Sequence, residues 1–253
     1  MAITAILLAA GYATRLYPLT TDRPKALLPL GSGTILDGVI RTLSEVPQLR
    51  KTVLVTNHRF EGLFREWQRS RGAEVAILDD HTTSVETRLG AIRDLALARR
   101  ETDPNDDLLV IGTDNLFHWS LAQFVREARR HAPKPSLALW QAPSKDVATQ
   151  FGVVTRDPTR RISAFVEKSP QPPSAEVALC VYFFPGPMCG DIQRFLEDGG
   201  NPDAPGYFIE WLVRRSEVYG VMMPGTWYDI GSLDSYQTAL KEWPPEGEPR
   251  TTA

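Results

Sequence analysis

The first apolar segment constrains the fold of this chain more than any other feature. Residues Ile3 to Ala9 are apolar except for Thr4, and they lead into Gly11. An apolar run of this length is typical of a strand buried on both faces, as in a parallel sheet covered by helices. Ligands bind at the carboxyl ends of the strands in such sheets, so the residues after Ala9 are the first candidates for a functional site.

Short apolar runs alternate with helix-length segments over the first 142 residues. Further strands are predicted at Val53–Thr56, Val75–Leu78, Leu108–Ile111 and Leu137–Trp140. Helices, with apolar residues spaced by three and four, are predicted at Leu36–Leu43, Phe60–Trp67, Leu89–Leu97 and Leu121–Ala128. This alternation predicts an α/β fold with a parallel or mostly parallel sheet.

The pattern changes after Pro143, where strands become more frequent. Strands separated by proline-containing turns are predicted at Val153–Arg156, Ile162–Glu167 and Val177–Phe184. The chain then returns to a helix–helix–strand–helix order, predicted at Ile192–Leu196, Phe208–Arg214, Val218–Met223 and Leu233–Lys241. Three prolines after Trp243 predict a disordered tail over residues 244–253.

Composition excludes several classes of protein. The 253 residues include 28 basic and 31 acidic side chains, a net charge of −3, so no domain-wide basic surface for nucleic acid is expected. No apolar segment has the length of a membrane-spanning helix. The two cysteines lie outside CxxC pairs, which favours a reducing compartment. We therefore expect a cytoplasmic protein without a nucleic-acid or membrane partner.

Small and basic residues follow the first predicted strand. Gly11 allows a ligand to approach the backbone, and Arg15, Arg23 and Lys25 supply three nearby cations. This composition suits a polyphosphate, although neither the GxxxxGK[ST] pattern of a P-loop nor the three spaced glycines of the dinucleotide fingerprint is present. From these residues alone, a turn with solvated basic side chains is an equally good interpretation.

Two aspartates follow predicted strands in the two halves of the chain. Asp114 comes after Leu108–Ile111, and Asp229 lies between Trp227 and Gly231. Mg²⁺ prefers oxygen ligands and commonly takes one or two carboxylates, so one aspartate from each half would suit it. Taken singly, Asp114 could instead cap a following helix and Asp229 could stabilise a turn.

Residues 7–30 carry a recognisable motif. They retain Thr14-Arg15-Leu16, Pro18-Leu19-Thr20 and Pro24-Lys25 of the pattern LAGGxGTRLxPLTxxxPKxLLPV, with Ala10 and Ala13 in place of glycines. The segment resembles the signature of the sugar-1-phosphate nucleotidyltransferases, which include glucose-1-phosphate thymidylyl- and uridylyltransferases and mannose-1-phosphate guanylyltransferases.

The resemblance extends over residues 3–240 and implies a fold. That fold is a Rossmann-like three-layer α/β/α sandwich with a mixed, mostly parallel sheet and a small sugar-binding insertion. Residues 1–243 would form one catalytic domain, in which 1–142 mainly bind the nucleotide and 143–243 mainly bind the sugar phosphate. No β-helix follows in the chain, so the acyltransferase activity of bifunctional relatives is not expected. A homo-oligomer is left open.

The same resemblance implies roles for individual residues. Those implied to contact the nucleotide are Ala9, Ala10, Gly11 and Thr14. Those implied to act on phosphate groups in catalysis are Arg15, Lys25 and Lys168. Mg²⁺ is implied at Asp114 and Asp229, although Thr113 separates Asp114 from the glycine that directly precedes it in the usual pattern.

Two further segments match the family. Phe165-Val166-Glu167-Lys168 resembles its VEKP segment, which implies that Glu167 binds sugar hydroxyls, and Gly152 matches a glycine whose main-chain amide faces the sugar. An exposed ion pair and a strand-start glycine are the plainer interpretations. Residues 80–92 lie where relatives read the base, and Thr87, Arg88 and Gly90 are candidates there, with a plain helix N-terminus as the alternative.

The resemblance implies a reaction between a nucleoside triphosphate and a sugar 1-phosphate. Direct attack on the α-phosphorus, assisted by Mg²⁺, would give a nucleoside diphosphate sugar and pyrophosphate. Two alternatives stay open at this stage. One is a cytidylyltransferase acting on phosphocholine or an inositol phosphate, and the other is a regulatory protein that binds a nucleotide sugar without turnover.

Overall fold

The computed structural model describes residues 1–243, except for the side chains of residues 187 and 189; the predicted disordered tail, residues 244–253, lies outside this range. The strands are β1 Ile3–Leu8, β2 Pro29–Leu30, β3 Gly33–Thr34, β4 Leu49–Thr56, β5 Ala76–Asp79, β6 Asp107–Gly112, β7 Asn115–Phe117, β8 Ser136–Gln141, β9 Gly152–Arg156, β10 Ile162–Glu167, β11 Glu176–Phe184, β12 Tyr219–Met222 and β13 Trp227–Asp229. The helices are α1 Ile35–Leu43, α2 His58–Arg71, α3 Ala91–Arg100, α4 Leu121–Arg129, α5 Lys145–Ala148, α6 Gly190–Glu197, α7 Pro205–Val213 and α8 Leu233–Glu242.

Nine strands form one mixed sheet. Its main path runs β10-β9-β11-β6-β1-β4-β5, with β8 paired to β11 and β12 paired to β8. Strands β10 and β11 run against the other seven, as their antiparallel pairings require. The sheet is therefore mostly parallel in strand direction, as predicted.

Helices cover both faces of this sheet. Ile3, Ala5 and Leu7 of β1 belong to a core that includes residues of α1, α2 and α4. Ile6 belongs to a second core, which includes residues of α3, α6 and α7. Successive side chains of a strand point to opposite faces, so a strand covered on both sides needs an apolar run such as Ile3–Ala9. The predicted α/β/α layering is confirmed.

Several boundaries differ from the prediction because caps, and not apolar spacing, set the ends of helices. Helix α3 begins at Ala91 and not at Leu89, since Gly90 precedes it with φ at +89°, outside helical geometry. Helix α2 extends beyond Phe60–Trp67 at both ends. Asn57 caps its start by accepting from the amide of Phe60, and Gly72 ends it in the left-handed conformation.

A small second sheet joins the two halves of the chain. Strands β7 and β13 pair in antiparallel fashion, with Asn115 opposite Asp229. The residue after Asp114 therefore begins a strand, so the helix-capping alternative for Asp114 is wrong. Among the described residues, no helix combines the length and the apolar character needed to cross a membrane.

Candidate active site

A cavity of about 540 Å³ opens where β1 and β6 end. Its walls come from the loop after β1, the segment after β6, residues near the start of α3, the loop after β10 and the start of α7. The predicted site residues that line it are Ala9, Ala10, Gly11, Thr14, Arg15, Lys25, Arg88, Gly90, Asp114 and Lys168. Thr87, Gly152, Glu167 and Asp229 are not among its lining residues.

The loop after β1 turns sharply at Ala13. Its φ of +49° lies in the left-handed region, which glycine adopts freely and alanine adopts at a cost of roughly 1 kcal/mol. The Ala13 carbonyl accepts from the Thr20 hydroxyl at 2.8 Å and from the Leu16 amide at 2.9 Å. These bonds hold the turn that directs Thr14 and Arg15 to the cavity.

An ion pair lies at the end of β6. Lys25 Nζ donates to Asp114 Oδ2 at 2.7 Å, and Asn115 Nδ2 donates to Asp114 Oδ1 at 2.9 Å. Burial opposes ionisation of Asp114, but the Lys25 ammonium outweighs it and holds the pKa of that carboxyl below its usual range. Asp114 is therefore an anion in a fixed orientation, with 33% of its side chain still exposed.

Asp229 carries the second carboxyl group of this region. The backbone joins the two aspartates, because the Ile230 amide donates to the Asp114 carbonyl at 3.0 Å. Burial and then the charge of Asp114 raise the pKa of Asp229 to about 6, although Lys25 and Arg15 act in the opposite sense. Gly231 leaves room for this carboxylate, since a Cβ there would lie 2.6 Å from Asp229 Oδ2.

These two carboxyl groups fit the predicted Mg²⁺. Both offer oxygen ligands, and the charge of Asp114 disfavours ionisation of Asp229, whose pKa is raised. A divalent cation between them would relieve that repulsion. A separate group, His58, Asp79 and His81, places one ligand atom per residue within 4.8 Å of the others, but none of the three lines the cavity.

Glu167 lies in a recess shaped by two glycines. A Cβ on Gly152 would lie 2.9 Å from Glu167 Oε2, and a Cβ on Gly206 would collide with the same atom. Burial raises the pKa of Glu167, and the neighbouring Lys168 ammonium, 3.7 Å away, opposes that shift. The backbone turns at Lys168, whose φ is +48°. The Lys168 side chain lines the cavity, whereas Glu167 does not.

Of the three residues predicted to contact the base, two line the cavity and one does not. Arg88 and Gly90 line the cavity, and Arg88 Nε donates to Asp203 Oδ1 at 2.9 Å. Gly90 packs so closely on Pro202 that a Cβ would lie 2.6 Å from its carbonyl oxygen. Thr87 Oγ1 instead bonds within its own turn, to the amide and carbonyl of Ser84. Its predicted contact with the nucleotide stays a prediction.

Sequence reasoning missed four polar residues in or behind the cavity. Asp80 and Asp94 line it, and both are buried. Asn115 and Trp227 lie behind Asp114, where Trp227 Nε1 donates to Asn115 Oδ1 at 2.9 Å. One signal was available for Asp94, because it stands three residues after Ala91 and four before Ala98 on a helix face that is otherwise apolar.

Comparisons with known proteins agree with this geometry. The sequence model of the nucleotidyl transferase family matches residues 4–244. A glucose-1-phosphate adenylyltransferase from Corynebacterium jeikeium is 28% identical over 94% of this chain and 66% of its own length. One from Mycobacterium tuberculosis is also 28% identical, over 99% of this chain and 73% of its own length. This chain thus spans about two thirds of the length of these relatives.

A solved structure shares the fold. A Bacillus anthracis chain assigned as a glucose-1-phosphate thymidylyltransferase, crystallised with a sucrose, superposes with a TM-score of 0.82. The match covers 98% of this chain and 99% of the other at 21% sequence identity. The layered architecture therefore follows a known fold.

Proposed function

Since this chain belongs to the nucleotidyl transferase family, we propose that it joins a nucleoside triphosphate to a sugar 1-phosphate, giving a nucleoside diphosphate sugar and pyrophosphate. One observation carries the proposal. The 2.7 Å pair of Lys25 and Asp114 faces the same cavity as Arg15 and Lys168, so cations from both halves of the chain surround one space. Two phosphorylated substrates need such a concentration of positive charge.

The reaction is a direct displacement. An oxygen of the sugar 1-phosphate attacks the α-phosphorus, a new P–O bond forms, and the bond from the α-phosphorus to the bridging oxygen breaks and releases pyrophosphate. No buried nucleophile is required. Cys180 lines the cavity, but burial raises the pKa of its thiol to about 12, so it stays protonated.

Different charged side chains bind different phosphate groups. Arg15 and Lys25 bind the triphosphate and stabilise the charge on the departing pyrophosphate, and Lys168 orients the attacking phosphate. Mg²⁺ held by Asp114 and Asp229 would neutralise negative charge on the phosphate oxygens. Catalysis is then positioning and electrostatic stabilisation.

Glu167 supports a sugar as the acceptor. Its carboxylate accepts hydrogen bonds, and two vicinal sugar hydroxyls supply donors, whereas the quaternary ammonium of phosphocholine supplies none. The recess formed by Gly152 and Gly206 leaves this carboxylate beside Lys168, the side chain proposed to hold the sugar phosphate. No observation favours a binding protein without turnover.

Pyrophosphate release tests this function. Purified protein with Mg²⁺ is assayed against a matrix of nucleoside triphosphates and sugar 1-phosphates, and at least one pair is expected to turn over. Asp114→Asn and Asp229→Asn should each lower kcat by at least about 100-fold, and a chelator should abolish turnover in the unmodified protein. Asp234→Asn, at an exposed position in α8, is the matched control and should retain full activity.

Two results would contradict the assignment. Full activity in both Asp114→Asn and Asp229→Asn would remove the metal proposal. The absence of pyrophosphate with every pair, in a protein that still binds a nucleotide sugar, would favour the regulatory alternative.

A further inference from the structure

Two histidines and an aspartate meet outside the cavity. His58 is the first residue of α2, Asp79 is the last residue of β5, and His81 follows two positions later. His58 Nδ1 lies 2.6 Å from Asp79 Oδ2, and His81 Nδ1 lies 3.2 Å from the same oxygen. One ligand atom from each residue lies within 4.8 Å of the other two. These three residues are called the His–Asp–His cluster below.

Main-chain hydrogen bonds hold the two segments that carry the cluster. The His58 amide donates to the Thr82 carbonyl at 2.9 Å, and the Asp80 amide donates to the Thr56 carbonyl at 2.9 Å. His81 has φ at +63°, in the left-handed region, so the chain turns between these two bonds. The backbone therefore brings the cluster together before any ligand binds, which lowers the entropic cost of binding one.

Asp79 is oriented toward both imidazole rings. Its Oδ1 accepts from the His81 amide at 2.8 Å, which leaves Oδ2 beside the two rings. Its side chain is 10% exposed, whereas those of His58 and His81 are 58% and 84% exposed, so a cation can reach the rings from solvent. Within residues 1–243, Asp79 forms no ion pair with a lysine or an arginine. The carboxylate therefore has no permanently charged partner.

The donor atoms of the cluster suit a transition-metal ion. Zn²⁺ binds imidazole nitrogens and carboxylate oxygens, often three protein ligands with water in the fourth position, whereas Mg²⁺ prefers oxygen ligands alone. Zinc–ligand bonds of about 2.0–2.2 Å place tetrahedral ligands roughly 3.3–3.5 Å apart. The 2.6 Å and 3.2 Å separations in the cluster are close to that spacing, and rotation of the exposed rings can adjust them. The hydrogen bond from the His81 amide would hold the carboxylate in position, as is usual for ligating carboxylates.

We propose that the His–Asp–His cluster binds a divalent transition-metal ion such as Zn²⁺, through one imidazole nitrogen of each histidine and a carboxylate oxygen of Asp79. The site is separate from the Mg²⁺ proposed at Asp114 and Asp229. Asp114 follows β6, and β4 and β1 lie between β5 and β6 in the sheet, a separation of about 14 Å. The inference goes beyond the proposed function and does not depend on it.

Zn²⁺ itself is the probe for this site. The full-length protein without an affinity tag is titrated with Zn²⁺ by calorimetry, in excess Mg²⁺ that competes for oxygen-only sites. We expect a Kd of about 10 µM or lower. Zn²⁺ in excess of that Kd should also raise Tm by at least about 2 °C, because a ligand that binds only the folded protein stabilises it.

Variants locate the bound ion. His81→Asn removes one ligand and keeps a residue type that tolerates the left-handed backbone, and His58→Gln removes the other ring. Each should raise the Kd for Zn²⁺ at least about tenfold and reduce the rise in Tm. Far-UV circular dichroism shows whether each variant is folded. Asp79→Asn, which replaces the ligating carboxylate with an amide, should have the same effect and takes the place of a histidine variant that does not fold.

His131→Gln is the matched control. It removes an imidazole that stacks on Tyr219 of β12, and β12 and β5 lie at different edges of the sheet. The substitution should leave the Kd for Zn²⁺ unchanged, because the His–Asp–His cluster stays intact.

Two results would overturn the site. One is the absence of Zn²⁺ binding to the unmodified protein. The other is a Kd for Zn²⁺ in the folded cluster variants that equals the Kd in His131→Gln, since the ion would then lie elsewhere. Neither result bears on pyrophosphate release with Mg²⁺, so failure of this inference and failure of the proposed function are distinguishable.

Discussion

Asn115 satisfies all of its polar atoms within the protein and thereby fixes Asp114. Its amide donates to Asp114 Oδ1 and to the Gly112 carbonyl at 3.2 Å, and its oxygen accepts from Trp227. The side chain is only 3% exposed, so water cannot replace any of these partners. Trp227 is therefore a positioning residue for an aspartate that it does not touch.

Trp227→Phe should distinguish the contribution of the indole N–H from that of ring packing, because phenylalanine keeps an aromatic ring but has no N–H. The substitution leaves Asn115 Oδ1 buried without a donor, so the free energy of unfolding should fall by about 1–3 kcal/mol. The kcat for pyrophosphate release should fall as well, because Asn115 can then rotate away from Asp114. Urea unfolding and turnover measure the two effects.

Trp211→Phe is the control for that variant. Trp211 Nε1 also donates to a carboxylate, Asp198, but this bond is exposed and water can replace it. Its loss should cost less than about 1 kcal/mol and should leave kcat unchanged. Equal effects of the two substitutions on kcat would argue against the positioning role of Trp227.

Resemblance to family motifs indicated Lys25, Asp114 and Lys168, because each stands in a segment that matches the family pattern, and all three line the cavity. It did not find Asp80 and Asp94, since the burial of one acid depends on another acid 14 residues away (94 minus 80) and on the cavity between them. Thr87 shows the opposite difficulty. It stands in the expected loop, yet its hydroxyl bonds to Ser84, and only the turn geometry reveals this.

At the scale of elements, the start of helix α7 shapes the surroundings of Glu167, the proposed sugar-binding carboxylate. Gly206 lies in the first turn of α7, and its lack of a side chain lets β10 present Glu167 at close range. Gly206→Ala should displace that carboxylate and raise the KM for the sugar 1-phosphate at least tenfold, with a smaller effect on the KM for the triphosphate. Steady-state kinetics with each substrate varied in turn measures this difference.

Gly62→Ala is the control for Gly206→Ala, because Gly62 is also a helix glycine. A Cβ at Gly62, within α2, would meet no atom within 4 Å, so the substitution should leave both KM values unchanged. It should also raise the free energy of unfolding by up to about 1 kcal/mol through helix propensity. If Gly206→Ala behaved in the same way, the recess around Glu167 would have no role in sugar binding.

The long strands and helices could be predicted because each has a periodic apolar pattern of its own. Strands β7 and β13 could not be predicted, since each has three residues and pairs with a partner more than a hundred residues away. The start of α3 was missed for a local reason. Leu89 continues the apolar spacing, but the positive φ of Gly90 ends any helix that includes it.

At the scale of the whole molecule, the two predicted halves share one sheet. Strand β8, from residues 1–142, pairs with β11 and β12 of the second half, and β6 pairs with β11. The division into halves, which was predicted from the family resemblance, therefore concerns which substrate each part binds. It is not a structural division, because one sheet runs through both halves. Sequence patterns predicted the strands, but not that β8 would leave its neighbours in the chain to pair here.

Separate expression of residues 1–142 and 143–253 tests this sharing. Neither piece should show a cooperative unfolding transition, because each exposes the edge and apolar faces that the other covers. Mixing the two should restore part of the pyrophosphate release of the intact chain. Circular dichroism during urea unfolding, with the intact chain as the reference, measures this. A cooperative transition in either piece alone would show that it is an independent domain.

The backbone bond from Ile230 to Asp114 also has a consequence for synthesis. The two aspartates are separated by 115 positions (229 minus 114), and the β7–β13 ladder forms only when residues near 229 have left the ribosome. A nascent chain therefore has the cavity-lining loop after β1 early and its second carboxylate late. On the proposed function, turnover begins only when translation of the domain is nearly complete, because the second carboxylate is among the last parts of the site to be made.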